Sequence, residues 1–291
     1  MSKIKAALCY SGAVRGLINN LEHLQNVLFS KGDYDIDYYL YADFGGGTIS
    51  KKDIESGKNE PQGLKVKNEL PFFNCMLVNE MDGFDERFDK FTKNIVNYHM
   101  PYEQQVHQWY NVKKVFDYVF SHDKQYDVYF RVRCDIFPAG LMDFDWSNFD
   151  ENSVYVPFNG PFGGINDRFA FGSKKAMSIY SNFYDSKIYY DTYDLNPETI
   201  QKGIDFYQKF YGHIPSVNYG SGGHNSEVRM LNHLHDQGLS VQVLPPHNLH
   251  ISAVRDSDGL IRYGGPDLED MLVSFNGFQK QDLKYDRIWW R

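Results

Sequence analysis

The stretch YDVYFRVRCDIF, residues 126–137, constrains this chain more than any other. Side chains on an extended strand alternate between two faces. One parity holds Val128, Phe130, Val132, Cys134 and Ile136, all apolar. The other holds Tyr129, Arg131, Arg133 and Asp135. An apolar row of that length belongs in a core, so the segment predicts an internal strand. The opposite row then sets two guanidiniums and a carboxylate at the strand's exit. Buried arginine is costly unless an anion faces it. Two arrangements meet that demand. Asp135 can pair with the arginines as a structural ion cluster. Alternatively, the arginines receive a diphosphate, whose oxygens suit the planar fork of a guanidinium.

The surrounding sequence supplies the rest of a sheet. IKAALCY at 4–10 reads as a buried strand, followed by the turn Ser11-Gly12-Ala13-Val14-Arg15-Gly16. Leu17, Ile18, Leu21, Leu24, Val27 and Leu28 then recur at helical spacing. DIDYYLYAD at 35–43 is a second strand ending in Asp43, and CMLVN at 75–79 a third. Between them, Gly45-Gly46-Gly47 and the polar stretch to about residue 63 read as a mobile loop. Pro101 opens a helix to Phe120 whose apolar stripe includes Val106, Trp109, Val112, Phe116 and Val119. Further short strands are expected at 154–157 and 168–171. Ser173 is placed to cap a helix running to about Tyr184, and Asn196-Pro197 to start another that reaches about Tyr211. The glycine-rich YGSGGHN leads into a helix from Ser226 to Gln237, closed by Gly238, and LSVQVLP follows as a strand. The tail from Pro245 lacks clear periodicity. Strands alternating with helices predict an α/β fold with a mostly parallel sheet covered on both faces. In such sheets ligands bind beyond the carboxyl ends of the strands.

Three other features carry chemistry. The turn after the first strand has small residues that let a backbone approach a ligand, and a helix start that offers N–H groups to anions. It lacks the Gly-Lys-Ser/Thr of a Walker A loop, and it is equally readable as a plain tight turn. Glu227 falls in the first turn of a late helix, where a carboxylate also serves simply to complement the helix dipole. Asp167 lies in the polar loop Gly163-Gly164-Ile165-Asn166-Asp167 ahead of a short strand. His233 and His235, two apart on a helix, do not share a face and read as surface or packing residues.

Taken in order, these features resemble the GT-A glycosyltransferases. The strand ending Arg133-Cys134-Asp135 is similar to the one that carries the Asp-x-Asp motif in that family. Only Asp135 matches, as a metal or ribose ligand, and an arginine stands where the first acid would be. The turn Ser11 to Gly16 resembles the family's first nucleotide-contacting loop. The resemblance therefore implies that Ser11, Gly12, Arg15, Asp43, Arg131, Arg133 and Asp135 contact the nucleotide sugar, with Asp43 bonding the base or ribose. The stretch Asn166-Asp167-Arg168-Phe169-Ala170-Phe171-Gly172-Ser173 is similar to an N-D-x-F-A-x-G-S stretch of several sugar-transferase families, which implies that Asp167 lies near donor sugar or acceptor. The late acid, Glu227, matches the catalytic or acceptor-binding acid of the family. His250 matches a histidine near the carboxyl end that often adds a metal ligand. His224 lies on the acceptor side, and His247 in the same late loop as His250.

The resemblance implies one GT-A (Rossmann-like) domain over 1–291, with a nucleotide-binding half at 1–140 and an acceptor-binding half at 141–291. The expected reaction moves a sugar from a nucleoside-diphosphate sugar to a hydroxyl of a glycan acceptor. Arginine charge, with or without Mn²⁺ or Mg²⁺ on Asp135 and His250, stabilises the diphosphate, and Glu227 or Asp167 acts as base. Both guanidiniums and Asp135 are expected to open into a hollow shaped for pyrophosphate. Two rival readings are a nucleotidyltransferase acting on a sugar phosphate and a noncatalytic glycan- or nucleotide-binding module. Thirty Lys and Arg stand against 38 Asp and Glu, a net charge of −8, which argues against a nucleic-acid partner. No run of about 18 apolar residues predicts a membrane span. Cys9, Cys75 and Cys134 form no C-x-x-C pair, which favours a reducing, cytoplasmic location.

Overall fold

The structure is a computed structural model that describes residues 3–12, 14, 17–43, 62–78, 102–159, 164–186, 197–212, 226–245, 249–255 and 260–262. In chain order the elements are β1 (Ile4–Ser11), α1 (Leu17–Phe29), β2 (Tyr34–Asp43), α2 (Gln62–Glu69), β3 (Phe73–Val78), α3 (Tyr102–Phe120), β4 (Val128–Arg133) and β5 (Ile136–Gly140). They continue with β6 (Ser153–Val156), β7 (Phe169–Gly172), α4 (Lys174–Ser181), α5 (Pro197–Tyr211), α6 (Ser226–Asp236), β8 (Ser240–Val243), β9 (Leu249–Arg255) and β10 (Leu260–Arg262). The loop expected over 45–63 lies outside the described residues except for its last two positions, which open α2.

Seven strands form one sheet in the order β3-β2-β1-β4-β7-β6-β8. The pairs β3–β2, β2–β1, β1–β4 and β6–β8 are parallel, while β7 runs antiparallel to both its neighbours. This is the mostly parallel α/β sheet expected from the alternation of elements. The order of strands reverses at β1, whose successor β2 lies on one side and β4 on the other. The carboxyl ends of β1 and β4 therefore flank the position where α/β sheets generally bind ligands. Ser11 and Arg133 are register partners there.

Alternation divides the core cleanly. Ala6, Leu8 and Tyr10 of β1 pack with Val128, Phe130 and Val132 of β4 beneath Leu17, Leu21, Leu24 and Leu28 of α1. Cys134 and Ile136 extend the same apolar row. Ala7, Cys9, Tyr39 and Tyr129 face the other way, under Trp109, Val112 and Phe116 of α3 and Tyr180 of α4. Each fully buried leucine or phenylalanine here contributes about 1.5–3 kcal/mol. Ser173 caps α4 as expected, its hydroxyl accepting the Ala176 N–H at 3.1 Å, and Gly238 closes α6 with φ +73°. The helix starting at Ser173 is shorter than its pattern suggests, passing into a 3₁₀ turn over Asn182–Asp185.

The stretch 126–137 is two strands and not one. Cys134 and Asp135 form a turn, and β5 joins β9 and β10 in a second, three-stranded sheet. Pro138 is tolerated because β5 is the edge of that sheet. Strands β9 and β10 lie in the tail that showed no periodicity. Among the described residues no helix is long and apolar enough to cross a membrane.

Candidate functional site

Three separated segments deliver charged side chains to the carboxyl edge of β1 and β4. Strand β4 and the turn after it bring Arg131, Arg133 and Asp135. The loop before β7 brings Asp167 and Arg168, because β7 runs antiparallel and so begins at this edge. The Arg133 N–H donates to the Arg168 carbonyl at 3.0 Å, which fixes that loop to the strand. Helix α6 begins here and brings Glu227. Its approach is close. A Cβ on Gly164 would sit 2.1 Å from the Glu227 carbonyl oxygen, so only glycine fits. The Ile165 N–H donates to that carbonyl at 3.4 Å.

Arg133 and Asp135 form a two-pronged ion pair. Nε donates to Oδ1 and Nη2 to Oδ2, each at 2.8 Å. The Arg133 side chain is 22% exposed and that of Asp135 8%. Burial opposes the charge on Arg133, but Asp135, Asp167 and Glu227 outweigh it and hold the guanidinium firmly protonated. Asp167 is buried and accepts from the Gln108 side-chain amide of α3. Arg168 is buried, its backbone N–H bound to Asn166 Oδ1 at 2.8 Å and its guanidinium 3.5 Å from the Ile251 carbonyl of β9. Burial and then the neighbouring Arg133 lower its basicity. Asn166 in turn donates to the Asn159 carbonyl, and Asn159 grips the Ile251 backbone N–H and C=O at 2.9 and 2.7 Å. A polar ladder thus ties the second sheet to the charged loop.

Glu227 is half-buried by area, yet protein crowds the carboxyl itself. Burial, then the nearby Asp167, push its pKa up to about 8, against the opposing effects of the Ser226 hydroxyl (3.1 Å) and Arg168. Near neutral pH it therefore holds a proton. A carboxyl that titrates close to the working pH is suited to exchange protons with a substrate hydroxyl.

Arg131 departs from expectation. Its place in the strand pattern predicts a solvent-reachable hollow, but it is 0% exposed. β4 carries it on the α3 and α4 side, beside Cys9 of β1 and Ala170 of β7, and the last exposed position on that face is Arg133. Burial is the main influence on Arg131 and weakens its hold on the proton. A groove of about 350 Å³ does exist, but α5, the end of α6 and β8 line it, with Lys202, Phe206, Lys209 and His235 on its walls. It contains none of the charged residues described above.

Of the other expected residues, Ser11 is buried at the end of β1 and Gly12 follows with φ +105°, a backbone conformation that favours glycine. Among the described residues a Cβ at Gly12 would meet nothing within 4 Å. Asp43 ends β2 at the same edge of the sheet, opposite Val78. His250 lies in β9, opposite Ala139. Arg15, His224 and His247 lie outside the described residues. His233 packs in the core, its ring N–H donating to the Ile179 carbonyl at 3.0 Å. Both Asp135 oxygens are engaged by Arg133, and among the described residues no three His, Cys, Asp or Glu side chains converge.

Arg168, Gln108 and Tyr180 were not anticipated. Arg168 follows Asp167 directly, so it was visible as a charge beside a predicted strand. Gln108 and Tyr180 sit on helical stripes that read as packing. No protein-family model matches the chain, and no curated protein matches it in sequence.

Proposed function

We propose that this protein transfers a sugar from a nucleoside-diphosphate sugar to a hydroxyl of a glycan acceptor. One observation carries the reading: Arg133, Asp135, Asp167, Arg168 and Glu227, drawn from three distant segments, form one charge cluster at the carboxyl edge of a reversing parallel sheet. A reversal of this kind is where α/β sheets bind nucleotides. In this reading Ser11, Gly12 and Asp43 line the nucleotide side, with Arg15 from the same loop. Arg133 exchanges its bond to Asp135 for one to the departing diphosphate, and Asp135 is then released to a ribose hydroxyl. Arg131 lends charge from beneath. Charge supplied by arginine stabilises the leaving group directly, and removal of one such preorganised contact costs on the order of 10²–10³ in rate. Glu227, once deprotonated, takes the proton of the acceptor hydroxyl, and Asp167 is the second choice for that role.

Donor hydrolysis tests the reading. Incubated with UDP-, GDP-, CMP- and dTDP-sugars, the wild type is expected to release nucleotide slowly from one of them, and Asp135→Ala is expected not to. Binding without hydrolysis in both proteins would instead support a noncatalytic module. Turnover of a sugar 1-phosphate with a nucleoside triphosphate would support a nucleotidyltransferase.

A further inference from the structure

The outermost strand of the large sheet borders a groove that the proposed reaction does not use. Strand β8 ends the order β3-β2-β1-β4-β7-β6-β8, and among the described residues no strand lies beyond it. Its ladder faces one way. The Ser240 N–H donates to the Asn152 carbonyl at 3.0 Å, and the Leu244 N–H to the Val156 carbonyl at 2.9 Å. Successive residues of a strand turn their backbone groups to opposite sides, so the N–H and C=O of Val241 and Val243 point away from β6. An edge of this kind is a template for one more strand.

The groove of about 350 Å³ runs along that edge. Strand β8 lines it with Leu239, Ser240, Val241 and Gln242. Leu239 and Val241 are buried in the core shared with α6, whereas Ser240 and Gln242 are exposed. A groove that touches both parities lies beside the strand, at the rim where the two faces of the sheet meet. It therefore adjoins the outward backbone groups of Val241. The facing wall is one side of α5, where Lys202, Asp205, Phe206, Lys209 and Phe210 recur at three- and four-residue spacing. Lys202 bonds to Glu198 at 3.0 Å, and Asp205 accepts from the Gln201 amide. Lys209 forms no ion pair among the described residues, and its ammonium sits 5.0 Å from the Phe210 ring centre. This wall carries two ammoniums against one carboxylate, set around aromatic rings.

We infer that the β8 edge binds an extended acidic segment of a partner protein. The segment adds as a strand, with carboxylates toward Lys202 and Lys209 and an apolar side chain toward Phe206. Main-chain bonds supply affinity in this mode, and side chains supply selection. A second copy of this chain suits the place less well. Its own β8 reads Ser-Val-Gln-Val and offers no carboxylate, and self-pairing would set the same two lysines against each other. The inference does not depend on the transfer reading.

The experiment follows the fluorescence anisotropy of a labelled peptide, in which glutamate and valine alternate, as the full chain is added. This peptide is expected to bind, and its counterpart with lysine in place of glutamate to bind at least about tenfold more weakly. The double variant Lys202→Glu, Lys209→Glu, altered only at exposed positions, is expected to weaken binding of the glutamate peptide by about tenfold. Methylating alternate amide nitrogens of the peptide, in either parity, adds a readout of strand pairing. One parity is expected to abolish binding and the other to spare it, because only every second amide faces β8. This arm uses the wild-type protein and decides the matter if the double variant does not fold. Failure of the glutamate peptide to bind, equal binding of the two peptides, or indifference to both methylations would overturn the site. Sedimentation showing a dimer that the double variant disrupts would do the same, since a second copy would then fill the groove.

Discussion

Glu227 is the residue whose surroundings most alter its chemistry. Crowding by protein and the adjacent Asp167 keep its proton on to about pH 8. If it is the base, kcat/KM should rise with pH and level off above that value, because only the ionised form can accept a proton. Glu227→Gln should retain donor affinity while transfer falls by about 10²–10⁴, and retained transfer would move the role to Asp167. The same shift has a sign for stability. The folded chain holds this proton to higher pH than the unfolded chain does, so stability is lost as pH climbs from the ordinary glutamate range toward 8. Melting curves between pH 5 and 8 should show a downward slope in the wild type that Glu227→Gln reduces. A parallel slope in both proteins would mean that another group is responsible.

At the scale of elements, the site depends on how closely α6 meets the loop before β7. Gly164 lies against the Glu227 carbonyl with no room for a methyl group. Gly164→Ala should therefore displace the start of α6, cost about 1–3 kcal/mol by overpacking, and lower activity beyond the loss of folded protein. Urea unfolding and kcat measured on the folded fraction would separate the two effects. The elements with strong periodicity were legible in the sequence: β1, α1, β4, α3, α5 and α6 lie within a few residues of their patterns. The parity of β4 was legible too, with Val128, Phe130, Val132, Cys134 and Ile136 on one face. The break at Asp135 was not, because the apolar row continues across it into another sheet. β9 was missed because its pairing is with distant chain, through Asn159 and β5, and leaves no local period, and β10 is placed only by its pairing with β9. The burial of Arg131 was also beyond reach. Alternation tells which face a side chain takes, but the helices α3 and α4 that seal that face are known only from the fold.

On the scale of the molecule, the sheet order brings Ser11, Arg133, Asp167 and Glu227, separated by more than two hundred residues, to one edge. A residue from each of the four constellations read from the sequence therefore reaches this edge, and Arg168 joins them. Because the diphosphate is held by guanidiniums in this account, EDTA should leave turnover unchanged, and a loss restored by Mn²⁺ would bring Asp135 and His250 back as ligands. The most direct test is calorimetric titration of UDP, GDP, CMP and dTDP into the wild type and Arg133→Met. At least one nucleoside diphosphate is expected to bind, and Arg133→Met to weaken it by about 10–100-fold, the worth of a charged hydrogen bond. Equal affinity in the two proteins, or no binding of any of these nucleotides, would contradict the account.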